Sequence, residues 1–136
     1  MNPAAAHRAH AYRTSAYRAA GRTLRLMPRG TAMAVAAAML AALGGARQGG
    51  FVSACNPRSR RRPEGWNRRM QAALAARLGR FRHLPASAGD GCWQEAHCLI
   101  AAAPARLGVL GRCFGQSAIL VLAQGRAPRL LWLERV

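Results

Sequence analysis

Four side chains of this sequence, Asn56, Asn67, Glu95 and Gln116, have the types and settings that build small-ligand sites. Asn56 closes the apolar run Phe51–Cys55, read as a short strand that Pro57 stops. Open α/β sheets place ligands at such strand ends. Its amide could orient a substrate, or it could satisfy local backbone groups in an Asx turn. Asn67 could join the same site, or cap a helix beginning at Arg68. Glu95 is one of only four acidic residues and sits in mid-strand beside Trp93. Apolar surroundings would raise its pKa and suit it to act as a general base. A purely structural carboxylate there would instead pair with an arginine such as Arg68 or Arg69. Gln116 opens the most apolar strand and could bond a helix end or face the site. His97 shares the Glu95 face, but alternate strand residues lie about 7 Å apart. The two can converge on a ligand without touching, or His97 is simply packed.

A second kind of chemistry resides in the charge. The chain has 21 basic residues against 4 acidic ones, a net charge of +17, and every basic residue is arginine. Such a field attracts polyanions, and any binding it drives weakens steeply with salt. The densest cluster is Arg58, Arg60, Arg61, Arg62, Arg68 and Arg69 around Trp66, which offers phosphate contacts and a ring for base stacking. Against this stands the spread of arginines along the whole chain, together with much alanine and glycine, which is what a drift toward GC-rich codons produces.

These residues need elements to hold them. Residues 1–11 lack periodicity and read as a disordered basic tail. Tyr12–Ala19, with a continuation over Arg22–Leu26, reads as a first strand or hairpin. Thr31 caps an alanine-rich helix through Leu43 that is apolar all round and ends at Gly44. Trp66, Met70, Leu74 and Leu78 recur every fourth residue, the stripe of a second helix. Phe81–Leu84 reads as a short strand and Pro85–Gly91 as loop. In a strand over Trp93–Ala101, Trp93, Glu95, His97 and Leu99 share one face, while Gln94, Ala96, Cys98 and Ile100 share the other. Pro104 begins a third helix through Phe114. Ser117–Ala123 is a buried strand, turned by Gln124–Arg126 into a last strand over Arg129–Leu133. The result is an α/β (mixed α+β) fold: one domain over 12–133, with a mixed sheet of five to six strands, three helices and a short tail over 134–136.

The motifs Phe51-Val-Ser-Ala-Cys-Asn-Pro57, Trp66-Asn67, Trp93-Gln-Glu95 and Phe114-Gly-Gln116-Ser-Ala118, in that order, resemble a bacterial family named for domain of unknown function 3293. The resemblance covers about 12–133 and implies a small α/β domain with no assigned activity. It places Asn56, Asn67, Glu95 and Gln116 on the family's polar pattern. The chain departs from that pattern at His97, where the family has a serine-like residue, and at Cys55, where it has a larger one.

Other chemistries are absent from the sequence. There is no nucleophile elbow, phosphate-cradling glycine loop or zinc-protease motif. Cys55, Cys92, Cys98 and Cys113 lack zinc-type spacing and read as reduced thiols, and a metal set of Cys92, His97 and Cys98 is set aside. No cofactor is expected. Residues 32–43 are too short to span a bilayer, which takes about 20 residues. They read as a buried helix rather than a signal segment, which favours the cytoplasm and no membrane insertion. Two functions remain: a non-enzymatic module that meets an anionic partner, such as RNA, another nucleic acid or another polyanion, through the arginine loop, and a ligand or enzyme site built from Asn56, Asn67, Glu95 and Gln116. The first is preferred on sequence alone.

Overall fold

The computed structural model describes residues 3–91 and 93–134. Its elements run α1 (Pro3–Thr14), β1 (Ala16–Ala19), β2 (Arg22–Leu24), α2 (Arg29–Ala42), β3 (Gln48–Val52), a one-turn 3₁₀ helix (Pro57–Ser59), α3 (Glu64–Leu78), β4 (His83–Asp90), β5 (Trp93–Ile100), α4 (Pro104–Cys113), β6 (Ala118–Ala123) and β7 (Arg129–Trp132). From β1 onward this is the expected succession of strands and helices, with a hairpin as the first member. The strands form one seven-stranded sheet in the order β2-β1-β4-β5-β3-β6-β7.

Every pairing in the sheet is antiparallel, where a mixed sheet was expected. The reason lies in the connections. Three hairpins, β1-β2, β4-β5 and β6-β7, each impose antiparallel neighbours. β3 then inserts between β5 and β6, antiparallel to both. Glycines allow that insertion. A Cβ on Gly50 would lie 2.8 Å from Leu107 Cδ1 of α4 and 2.6 Å from the Leu120 carbonyl oxygen. The side chains of the covering helix therefore rest directly on the β3 backbone.

Two cores lie on the two faces of the sheet. On one, Met39, Leu40 and Leu43 from the α2 segment pack on Tyr17, Leu24, Phe51, Leu99 and Leu122. On the other, Leu74 and Leu78 of α3 and Leu107 and Leu110 of α4 pack on Val52, Cys98, Ile100 and Val121. The two faces of β5 thus divide as its alternation requires, with Leu99 on one side and Cys98 and Ile100 on the other.

Four expectations are corrected. Residues 3–14, read as part of a tail and the start of a strand, form α1; alanine's helix propensity and a docking surface for Ala9 and Tyr12 outweigh the missing periodicity. α2 begins at Arg29 rather than after Thr31, and it is buried along one stripe only, since Ala34, Ala37, Ala41 and Ala42 stay exposed. Pro85–Asp90, read as loop, belongs to β4. Pro85 is tolerated because β1 pairs only from Ala86 onward, so no β1 bond is lost. β3 spans Gln48–Val52, so Ser53, Ala54 and Cys55 leave the ladder.

Candidate functional site

Once the chain leaves β3, the backbone polar groups of residues 54–56 need partners, and three side-chain amides supply them. Gln71 of α3 accepts from the Ala54 N–H at 3.1 Å. Gln116 donates to the Cys55 carbonyl at 3.0 Å and to the Phe114 carbonyl at 3.3 Å. Asn67 of α3 accepts from the Asn56 N–H at 3.0 Å and donates to Asn56 Oδ1 at 2.9 Å. Asn56 Oδ1 also accepts from the Arg62 N–H at 2.8 Å. Asn67 is therefore no N-cap: α3 starts at Glu64, and Asn67 lies inside its first turns. Nor does Asn56 form a local Asx turn, because its oxygen reaches six and eleven residues ahead.

This bracket holds an unusual backbone. Asn56, Arg58 and Ser59 have φ of 46°, 56° and 60°. Left-handed conformations in non-glycine residues cost energy and persist where the surroundings over-determine them. Gly115 lets the loop close in, since its own φ is +68° and a Cβ there would lie 2.7 Å from Pro57 Cβ.

Asn56, Glu95 and Gln116 meet in one cavity of about 330 Å³. Across the sheet, Tyr17, Ala88 and Glu95 stand in one row. The small Ala88 between two large neighbours leaves the gap that becomes the cavity floor. Tyr17, His97 and Trp93 supply aromatic wall, Arg61 contributes from the loop after β3 and Asp90 from the end of β4. His7, Arg8, Ala11 and Tyr12 of α1 form the roof. α1 is latched by a Tyr12–Trp132 edge-to-face contact with centroids 5.4 Å apart and by an Arg8–Glu134 ion pair at 3.8 Å. The Tyr12 hydroxyl joins Ser59 and Ser117, and Ser117 in turn donates to Glu134 at 2.6 Å.

Glu95 does not pair with Arg68 or Arg69. Arg68 meets Glu64 at 4.0 Å on the exposed face of α3, and among the described residues no ion pair reaches Glu95. Its partners are the Asn56 side chain and the Ser53 hydroxyl, 3.3 Å from Oε1. The single Ser53 proton has a shorter contact with the Ala96 carbonyl at 2.7 Å, which leaves the carboxylate weakly served. Burial pushes the Glu95 carboxyl up to about 7, against the lowering effect of Asn56 and Ser53. This carboxyl can be protonated or ionised near neutral pH, the condition for exchanging a proton with a bound molecule.

His97 lines the same cavity but has another character. Its ring packs edge-on between Tyr17 and Phe51, with centroids 6.5 and 6.4 Å away. Its Nδ1 lies 3.0 Å from the Glu95 carbonyl oxygen. Burial lowers its pKa to about 4, so at neutral pH it is an uncharged wall.

All six arginines of the dense cluster are exposed. Only Arg61 lines the cavity. The Arg62 guanidinium covers one face of the half-buried Trp66 ring, 5.4 Å from its centroid, so that face is taken. Cys55 and Cys98 are buried and Cys113 is exposed, all three free. Cys92, and with it the Cys92–His97–Cys98 metal set, lies outside the described residues.

Sequence reasoning missed Ser53, Gln71, Tyr12 and Tyr17 at the site. Ser53 and Gln71 sit in unremarkable local contexts, and their roles appear only when α3 and β5 come together. Tyr12 and Tyr17 were placed in one strand, which hid the helix that roofs the cavity.

Fold and site together define a small α+β protein with an antiparallel sheet and a largely apolar cavity with a few polar groups, enclosed by α1, strands β1, β4 and β5 and the loop that follows β3. The chain belongs to the family described as Protein of unknown function (DUF3293), whose model matches residues 52–119, half of the chain. The matched span contains Asn56, Asn67, Glu95 and Gln116, whereas α1 and β1 lie before it. No curated protein and no solved structure matches this chain. Among the described residues, no helix is long and apolar enough to cross a membrane.

Proposed function

We propose that the cavity between α1, the 56–61 loop and β5 binds a small polar ligand, and that Glu95 exchanges a proton with that ligand or hydrogen-bonds to it. One observation carries this reading. In a chain with 21 arginines, a half-buried carboxyl lies in a cavity without an arginine partner among the described residues. A carboxylate kept only for stability would take the abundant counter-charge. Leaving it unpaired preserves a group that titrates near neutrality. Convergence of Asn56 and Gln116 on the same space, and the strained backbone at Asn56, support the same reading.

The arginine loop, preferred on sequence alone as a contact for RNA, has less support. Its arginines are exposed, but its aromatic residue is half-buried and has one face taken by Arg62. It enters the present reading through Arg61 alone.

The test is a polar-fragment screen read by two-dimensional amide NMR, on wild type and on Ala88→Leu. The leucine fills the gap between Tyr17 and Glu95. Fragments should perturb Asn56, Glu95 and Gln116 in wild type and not in Ala88→Leu. Perturbation elsewhere, or equal perturbation in a folded Ala88→Leu, overturns the reading.

A further inference from the structure

The cavity carries marks of its ligand's charge and shape. Three of the four acidic side chains are engaged away from Arg61. Glu64 is taken by Arg68, Glu134 by Arg8 and Ser117, and Glu95 sits with Ser53 and Asn56. No ion pair to Arg61 forms among the described residues, although Arg61 lines the cavity. Its planar guanidinium can grip a phosphate or carboxylate through two parallel hydrogen bonds. Asp90 also lines this cavity. The overall charge of +17 draws anions toward the opening.

Shape comes from the aromatic residues. Trp93 is 44% exposed at the cavity edge, and its ring is available to a second flat group. Tyr17 and His97 continue that wall inward. At the far end, Asn56 and Glu95 present a hydrogen-bonding pair. Asn56 Oδ1 is occupied by the Arg62 N–H and by Asn67, and the Asn56 side chain also bonds Glu95, so the amide has one N–H left to offer, while Glu95 keeps further acceptor positions, or donates when protonated. The volume, about 330 Å³, is at the lower end of the roughly 300–1,000 Å³ found for ligand pockets. That admits one ring system and one anionic group, not a dinucleotide.

Resting on the cavity reading above, we infer that the ligand is a small anion built on a planar heteroaromatic ring, the chemistry of a nucleoside monophosphate. Arg61 holds the anionic group at the opening, Trp93 and Tyr17 flank the ring, and Asn56 with Glu95 reads the ring's edge.

The probes are the four ribonucleoside 5′-monophosphates, the matching nucleosides and inorganic phosphate, titrated by calorimetry and amide NMR into the full chain. At least one monophosphate should bind about tenfold more tightly than its nucleoside, the weight of one charge-assisted pair of hydrogen bonds. Arg61→Gln, an exposed and fold-neutral change, should erase that difference. Trp93→Ala should weaken nucleotide and nucleoside alike, and Ala88→Leu should abolish both. Equal binding of nucleotide and nucleoside, or a difference that survives Arg61→Gln, overturns the anionic assignment. Phosphate binding as tightly as the nucleotides overturns the ring. If no probe binds while polar fragments still map to Asn56, Glu95 and Gln116, this ligand class is wrong and the cavity reading stands. If fragments also miss those residues, both fall.

Discussion

Asn67 grips Asn56 at two points, taking its backbone N–H at 3.0 Å and giving a side-chain N–H to its Oδ1 at 2.9 Å. This reciprocal pair joins α3 to the segment that follows β3 and holds Asn56 in its left-handed conformation, with φ 46°. Both residues lie within the span that the family model matches, but they divide the labour. Asn56 reaches the cavity, while Asn67 stands behind it.

Removing the grip should cost stability and position together. Asn67→Ala leaves the Asn56 N–H and Oδ1 short of partners, and is expected to lower unfolding free energy by about 1–3 kcal/mol. Asn56→Gly keeps a residue that tolerates positive φ and should retain most of the stability while losing fragment binding. Urea unfolding of the two variants, beside the NMR screen, checks both statements.

The pH dependence of stability carries two opposed contributions. Glu95 has a folded pKa near 7, above the ordinary carboxylate value, so its contribution is fully present below about 4.5 and is lost as pH rises through 7. His97 has a folded pKa near 4, below the ordinary imidazole value, so its contribution is present above about 6.5 and is lost as pH falls toward 4. Between these limits the two slopes oppose each other, and wild-type stability should be nearly flat. Glu95→Gln should unmask a loss of stability on acidification. His97→Gln should unmask a gain. Each slope should amount to roughly 1–2 kcal/mol once solvent in the cavity is allowed for. Chemical unfolding at several pH values measures this, and a Glu95 carboxyl shift titrating near 4 would refute the assignment.

Close packing on β3 makes a sharper demand. Gly50→Ala forces a methyl against Leu107 Cδ1 and the Leu120 carbonyl, at 2.8 and 2.6 Å before relaxation. Since one contact is with backbone, the strain cannot be relieved by turning a side chain. A loss of about 1–3 kcal/mol is expected in thermal or urea unfolding.

Thiol reactivity should follow burial. Burial raises the pKa of both Cys55 and Cys98, and both are shielded, whereas Cys113 is exposed. Brief alkylation at pH 8 followed by peptide mass mapping should label Cys113 well before Cys55 and Cys98. Cys55 modified as fast as Cys113 would contradict the packing described for the 53–56 segment.

Part of this architecture was readable from residue patterns. The i+4 stripe from Trp66 to Leu78, the alternation over Trp93–Ile100 and the apolar run before Gln124 each encode their element in local periodicity, and those elements appear. The gathering of Asn56, Glu95 and Gln116 was raised as one of two alternatives. What local pattern could not convey was tertiary. α1 has no apolar stripe and becomes a helix over the site by docking Ala9 and Tyr12. Pro85 argues against a strand unless it is known that β1 has already ended. Asn67 sits where a cap would sit and serves a loop eleven residues away. Ser53 and Gln71 carry no signal of their own, because their partners come from distant segments.

The sheet begins and ends on β2 and β7, strands of three and four residues that each carry an arginine, Arg22 and Arg129. Unpaired edges invite a second copy to continue the ladder, and like charges there discourage it. That protection depends on ionic conditions. Concentrated salt or a bound polyanion would mask the guanidinium groups and let two molecules join side by side. Handling this protein with heparin or nucleic acid present should therefore promote self-association.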